Sequence, residues 1–210
     1  MRNLQKRKLI ELFNQPDTIL IISSYPERKA KYSRKTDALG GFSKNTVEGI
    51  KTYQNKAHQN QKFVILALTI SQKEEIYREN GVLVWRVFTR NQPLSYFNLW
   101  RAIHRFDQVK NVLIEFEFGS FGNTATTALF PFTLLYLRML RKNITLVLHQ
   151  VILNLESLCG HIGWKKTGMK IKIYNLGTKI FLYELSFLSQ KIIVLEKALK
   201  TKLSQMVGMK

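Results

Sequence analysis

Two adjacent glycines, Gly40 and Gly41, lie between an apolar strand and a helix, an arrangement that α/β folds use to bind anions. The run Thr18–Ser24 is short, apolar and β-branched. Downstream, apolar residues recur at helical spacing, which predicts a helix that begins near Phe42. Glycine lets the backbone approach an oxygen-bearing ligand, and the first N–H groups of a helix point at it. The pair therefore predicts a phosphate-binding loop, with a simple turn of the chain as the alternative.

Other groups that could contact a ligand follow later strands. His149 comes directly after the apolar run Ile144–Leu148, where an imidazole can donate a hydrogen bond to a sugar hydroxyl or a phosphate. Glu115 and Glu117 are two residues apart and face one side if their strand extends that far. We favour Glu117, because it opens the glycine- and aromatic-rich loop Glu117–Gly122, a setting that suits hydroxyl recognition. Capping of the loop is the alternative.

Several chemistries have no support in the sequence. It has no zinc-like Cys/His spacing, no P-loop and no GxGxxG fingerprint, and nothing in it supports a hydrolytic nucleophile. A single cysteine, Cys159, cannot form an internal disulfide, which favours a reducing, cytosolic compartment. Its apolar neighbours predict a small buried side chain.

The elements that would position these residues are apolar strands alternating with helices. This alternation predicts an α/β fold with a parallel sheet covered by helices on both faces. The predicted strands are Thr18–Ser24, Lys62–Leu68, Val82–Phe88, Val112–Phe116, Ile144–Leu148 and Ile192–Leu195. One later predicted helix follows Pro93 and places Phe97, Trp100, Ile103 and Phe106 on one face. The other predicted helices are Thr126–Arg141, Val151–Leu158, Tyr174–Leu188 and Glu196–Met206.

Ligands of such sheets bind beyond the carboxyl ends of the strands, at a topological switch point. That rule directs attention to the loops Ser24–Gly41, Thr89–Pro93 and Glu117–Asn123, and to His149. The candidate residues therefore belong to one edge of the predicted sheet.

The formal net charge is +19, which attracts anionic partners. Basic residues with aromatics near them suit an anionic membrane surface. They would also suit RNA, but no RNA- or DNA-binding signature is present, so nucleic acid is not the expected partner. The basic residues expected to contact the membrane are Arg28, Lys29, Lys31, Arg34, Lys35, Arg138, Arg141, Lys142, Lys165 and Lys166.

The apolar runs are too short to cross a membrane. The best candidate, Ala128–Leu137, is far shorter than the roughly 20 residues that a transmembrane helix needs. The basic N-terminus is not followed by the apolar region of a secretory signal. We therefore expect a cytoplasmic protein, peripheral on the membrane if bound to it at all.

Taken in order along the chain, these segments resemble the N-terminal domain of GT-B glycosyltransferases of the family 4 type. The resemblance is carried by the early strand followed by Gly40 and Gly41, by Ile114–Gly119 and by Leu146–His149. The final Lys191–Leu195 with the helix after it is similar to the segment that closes this domain. The fold implied is a Rossmann-like half of a GT-B enzyme, spanning residues 1–210.

The resemblance implies retaining transfer of a sugar from a nucleotide-sugar donor, without an essential metal or other cofactor. Gly40 and Gly41 would face the donor diphosphate, His149 would be the catalytic histidine, and Glu117 with Gly119 would line the acceptor side. The acceptor would be a glycan or a lipid-linked sugar on a membrane.

No segment of the sequence resembles the second domain that binds the nucleotide in such enzymes. We therefore expect either that this chain is a fragment or that a separate polypeptide supplies the donor-binding domain, and in both cases that the isolated chain lacks efficient activity. The alternative is a non-catalytic basic α/β module that binds an anionic membrane or another anionic partner.

Overall fold

The computed structural model describes residues 3–26, 28, 38–56, 61–69, 74–152 and 168–207. Helices and strands alternate along most of them. The strands are Ile19–Ser24 (β1), Phe63–Thr69 (β2), Glu75–Glu79 (β3), Val82–Thr89 (β4), Asn111–Phe116 (β5), Asn143–Leu148 (β6) and Lys191–Val194 (β7). The helices are Asn3–Phe13 (α1), Ala38–Lys56 (α2), Ser95–His104 (α3), Thr124–Ala128 (α4), Phe130–Met139 (α5), Met169–Leu188 (α6) and Lys197–Val207 (α7).

The strands of the described residues form one seven-stranded sheet in the order β3-β4-β2-β1-β5-β6-β7, parallel everywhere except between β3 and β4. β1 is central, with Ile19 level with Phe63 of β2 on one side and Asn111 of β5 on the other. The chain moves outward from β1 to β4 and then returns to the opposite side as β5. The predicted Rossmann-like α/β fold is confirmed, and its topological switch point lies between β1 and β5.

Helices cover both faces of this sheet. Leu20 and Ile22 of β1 belong to the larger apolar cluster, which includes residues of α3 and α5. Ile21 points to the other face and joins the smaller cluster with Val47 of α2. Because both sides of β1 are buried, the strand needs apolar residues at successive positions, which explains its unalternating sequence.

β3 is a strand that the sequence patterns do not predict. It forms an antiparallel hairpin with β4, so the sheet is mostly but not entirely parallel. Asn80 and Gly81 connect the two strands with φ of 48° and 76°. These positive values belong to a two-residue type I′ turn, for which Asn-Gly is the favoured sequence. The dipeptide before an apolar strand is the signal that identifies the hairpin.

The start of α2 also differs from the prediction. The helix begins at Ala38 instead of near Phe42, so Gly40 and Gly41 lie in its first turn and not in a loop before it. Glycine disfavours helix, but tertiary packing overrides this preference. A Cβ on Gly40 would lie 3.3 Å from the backbone of both Tyr25 and Pro26. Gly40 therefore allows the helix to pack closely against the chain that leaves β1.

Two later helices depart from their predicted form. α3 buries Tyr96, Leu99, Ala102 and Ile103, whereas Phe97, predicted on the buried face, is 60% exposed. The predicted helix Thr126–Arg141 is divided at Leu129 into α4 and α5. Pro131 lies in the first turn of α5, where its missing N–H costs no helical hydrogen bond.

Some predictions fall outside the described residues. These include Cys159 and the predicted helix Val151–Leu158 from residue 153 onward.

Candidate functional site

Three buried polar side chains contact one another where α2 packs against β1 and β5, at the switch point of the sheet. Glu115, near the end of β5, is fully buried, and its Oε2 accepts a hydrogen bond from the Ser23 hydroxyl of β1 at 2.9 Å. Ser43, in the first part of α2, donates to the same oxygen and also contacts Ser23. The other oxygen, Oε1, is buried, and no described residue forms a hydrogen bond with it. This cluster joins β1, β5 and α2 at the edge where the fold predicts ligand binding.

His149 lies next to this cluster, directly after β6. Its backbone N–H donates to the Phe116 carbonyl at 3.0 Å, and its ring packs edge-on against Phe42 of α2 with a centroid distance of 4.4 Å. The Nε2 atom is buried and has no hydrogen-bond partner among the described residues. Burial lowers the pKa of His149, and the charges of Glu115 and Glu117 oppose that shift. Lowering the pKa favours the neutral imidazole, and its Nε2 keeps an unused capacity for one hydrogen bond with respect to the described residues.

Arg86 of β4 binds the segment against which the first turn of α2 packs. Arg86 of β4 is buried, and its guanidinium donates to the carbonyls of Tyr25, at 3.2 Å, and of Pro26. Those two residues are the ones that contact Gly40. Because Phe42 of the same turn contacts His149, Arg86 indirectly fixes the position of the histidine. The structure thus places Gly40, Gly41 and His149 at one edge of the sheet.

The acidic loop after β5 is joined to the loop after β4. Arg90 donates to the Gly119 carbonyl, and the Asn91 N–H donates to the Phe121 carbonyl at 3.2 Å. Gly122 has a φ of 114°, and a Cβ there would overlap Asn91. Two of the loops that the sequence selects therefore meet in space. Glu117 lies beyond the end of β5, and its charge, like that of Glu115, partly offsets the lowering of the His149 pKa by burial.

The predicted basic surface is only partly described. Arg28, Arg138 and Arg141 are exposed, as a membrane-contact role requires. The prediction is wrong for Lys142. This residue is only 3% exposed, and its ammonium donates to the carbonyls of Phe106, Asp107 and Val109. Burial lowers the pKa of Lys142, and Asp107 opposes the shift. The other basic residues of that prediction, Lys29, Lys31, Arg34, Lys35, Lys165 and Lys166, lie outside the described residues.

Sequence reasoning missed part of this site. Ser23 and Arg86 carry a visible signal, since each is polar within an apolar strand. The sequence pattern favours Glu117 over Glu115, but Glu115 is the charged residue inside β5 and makes the buried contacts. Ser43 carries no comparable signal, because only the fold brings α2 against the end of β1.

Two further properties of the described residues bear on the site. No group of three or more His, Cys, Asp or Glu side chains among them could hold a metal ion. Within the same part of the chain, no helix combines the length and apolarity that crossing a bilayer requires.

The sequence matches no family model, and no curated protein matches it.

Proposed function

We propose that this chain is the acceptor-binding half of a retaining glycosyltransferase that uses a nucleotide-sugar donor. The observation that carries the proposal is the buried Nε2 of His149, which lies at the switch-point edge of a doubly wound sheet and has no hydrogen-bond partner in the part of the chain that the structure describes. Ligands of such sheets bind at this edge. A sugar hydroxyl could satisfy the unpaired nitrogen, and a neutral imidazole can both accept and donate such a bond.

In this proposal the first turn of α2 faces the donor diphosphate. The first N–H groups of a helix have no intrahelical acceptor and carry the positive end of the helix dipole. Gly40 and Gly41 are among these residues. Glu117 and Gly119 line the acceptor side, next to His149. The nucleotide would be bound by a donor-binding domain outside the described residues, and no metal takes part.

Binding of carbohydrates tests the proposal directly. Saturation-transfer nuclear magnetic resonance with a panel of nucleotide sugars and oligosaccharides should identify ligands of the chain. The His149→Gln variant should weaken the best of them by about 1–3 kcal/mol, the cost of removing one partner of a buried hydrogen bond. His104→Gln is the matched control, because His104 is exposed on α3. Absence of any carbohydrate ligand, or equal binding by both variants, would contradict the proposal.

The transfer reaction needs a second measurement. A donor-binding domain of a GT-B enzyme is added in trans, and release of the nucleoside diphosphate is followed with and without this chain. Nucleotide release should increase only in the mixture. No gain over either part alone would exclude the transferase function while leaving carbohydrate binding intact.

A second candidate function is binding of an anionic membrane without catalysis. The observation that favours it is a stripe of exposed apolar side chains along α6, spaced three and four residues apart, with lysines on the same helix. Such a helix suits the boundary of a bilayer with anionic headgroups. The stripe consists of Met169, Ile173, Leu176, Ile180, Tyr183 and Phe187.

Vesicle co-sedimentation tests this candidate. The chain should bind phosphatidylglycerol vesicles more than phosphatidylcholine vesicles, and salt should weaken the binding. Leu176→Glu should reduce it, whereas Leu94→Glu, at an exposed leucine outside the stripe, should not. Binding that does not change with salt concentration, or equal binding by the two variants, would exclude α6 as the surface that binds the membrane.

A further inference from the structure

A cavity of about 620 Å³ lies between the acidic loop after β5 and helix α6. That volume is within the range of small-molecule sites, roughly 300–1,000 Å³. Most of its walls are aliphatic or aromatic side chains, from Phe118, Ala128, Ile152, Ile173, Ile180 and Phe181. The cavity therefore has the volume for a ligand and an apolar lining that favours a hydrocarbon body.

Two hydroxyl groups in the lining are already paired with the backbone. The Thr127 hydroxyl donates to the Phe118 carbonyl at 3.1 Å, and the Thr178 hydroxyl donates to the Tyr174 carbonyl at 2.9 Å. Each hydroxyl has one proton, so both can only accept a further hydrogen bond. They suit a ligand group that donates hydrogen bonds, and they do not satisfy a phosphate or a carboxylate.

Glu184 is the only charged residue among the described residues that line the cavity. Its side chain forms none of the ion pairs found in the described part of the chain. Glu184 is exposed, so its carboxylate lies at the solvent side of the cavity. The lysines of α6, at positions 170, 172 and 179, do not line the cavity. The charge in the lining therefore attracts a cation and repels an anion.

Aromatic rings lie beside this carboxylate. The rings of Phe118 and Phe181 are 5.7 Å apart between centroids, and both line the cavity. Glu184 follows Phe181 by three residues on α6, which places the two side chains on one face of the helix. The face of an aromatic ring attracts cations electrostatically. Ring and carboxylate together form a setting that recognises an ammonium group.

We propose that this cavity binds a hydrophobic primary amine, with its hydrocarbon body between the acidic loop and α6 and its ammonium at Glu184. Such a ligand is neither the donor nor the acceptor of the proposed transfer, so the inference does not rest on that function. Gly177 marks the space for the hydrocarbon body, because it lines the cavity and a Cβ built on it meets no described atom within 4 Å. A larger side chain at this position would fill part of the cavity.

The net charge of +19 sharpens the test, because non-specific electrostatic attraction would favour anions. Calorimetric titration compares octylammonium, octanol and octanoate, all below micelle formation and at an ionic strength of about 0.15 M. Octylammonium should bind several-fold more tightly than octanol, and octanoate should bind most weakly. Butylammonium should bind at least roughly tenfold more weakly than octylammonium, because it buries four fewer methylene groups.

Two variants separate the carboxylate from the cavity. Glu184→Gln should abolish the preference for octylammonium over octanol and leave octanol binding unchanged. Its matched control is Glu196→Gln, at an exposed carboxylate that does not line the cavity. Gly177→Leu should weaken octylammonium and octanol alike, at least roughly tenfold, because excluding even two methylene groups has that effect. Its control is Gly49→Leu, at a helical glycine outside the cavity whose Cβ position also has nothing within 4 Å.

Several outcomes would overturn the inference. They are octanoate or octanol binding as tightly as octylammonium, an unchanged preference in Glu184→Gln, and equal effects of the two glycine variants. No sugar or nucleotide enters these titrations, so their result is independent of the transferase function. A chain that shows the expected amine binding but binds no carbohydrate would keep the cavity site and lose that function.

Discussion

At the scale of single residues, His149 couples the site to pH. Folding lowers the pKa of His149, so the unfolded chain binds a proton more readily than the folded protein. Stability that is fully present above the unfolded value, about 6.5, should therefore be lost as pH falls through the folded pKa. The His149→Gln variant lacks this loss. Urea unfolding at a series of pH values should show the wild-type protein losing more stability than the variant on acidification below about pH 6.5.

Parallel curves for the two proteins would show that His149 titrates as it does in the unfolded chain. Such a result would remove the argument for a neutral, buried imidazole. His104→Gln should follow the wild-type curve, because no comparable burial surrounds that exposed ring.

Two glycines of α2 form a matched pair for testing close packing. Gly49 has open space around it, so Gly49→Ala should stabilise the protein by about 0.5–1 kcal/mol through helix propensity. Gly40→Ala would gain the same propensity, but its Cβ would lie 3.3 Å from backbone atoms of Tyr25 and Pro26, which cannot rotate away. We expect Gly40→Ala to be destabilising, by roughly 1–3 kcal/mol. Thermal unfolding of both variants measures the difference, and equal stabilisation would refute the close approach.

At the scale of elements, Lys142 ties the end of α3 to the start of β6. Its ammonium satisfies three backbone carbonyls of the segment after α3. Lys142→Met keeps most of the apolar length of the side chain but leaves these carbonyls without their donor, and should cost about 2–4 kcal/mol of stability. Lys110→Met, at an exposed lysine, should change stability by less than about 0.5 kcal/mol. Denaturant unfolding would contradict this role if both variants lost the same amount.

Predictability also differs between elements. The parallel strands are evident from sequence because burial on both faces requires continuous apolar runs, and each predicted strand lies within a residue or two of its observed bounds. The start of α2 was misplaced because local helix preference gives no information about Tyr25 and Pro26, against which Gly40 packs. Lys142 was assigned to the surface by its charge alone. Its burial depends on carbonyls more than thirty residues away in the chain.

The candidate site, too, is only partly predictable from the sequence. The sequence selects His149 and Glu117 because strand ends converge at one edge of any doubly wound sheet. The cluster of Ser23, Ser43 and Glu115 depends on side chains from three elements, and the pairing of β1 with β5 is a property of strand order that no single segment encodes.

At the scale of the whole molecule, net charge should set the response to salt. The chain carries 33 Lys and Arg against 14 Asp and Glu, and the ion pairs among the described residues join only Lys6 to Glu74, Arg7 to Glu11 and Arg86 to Glu75. Self-repulsion therefore outweighs pairing. Raising sodium chloride from about 0.01 M to about 0.1 M shortens the screening length to about 10 Å and should increase the free energy of unfolding.

Phosphate at matched ionic strength separates screening from binding. If the first turn of α2 or the basic surface binds anions, phosphate should stabilise the protein more than chloride does, because a ligand of the folded state adds its binding free energy to stability. Gly41→Ala leaves the net charge unchanged, so any loss of the extra phosphate effect in this variant assigns the site to α2. A free energy of unfolding that falls as sodium chloride is raised would mean that ion pairs outweigh repulsion. Equal stabilisation by phosphate and chloride would show that the anions act only by screening and do not bind.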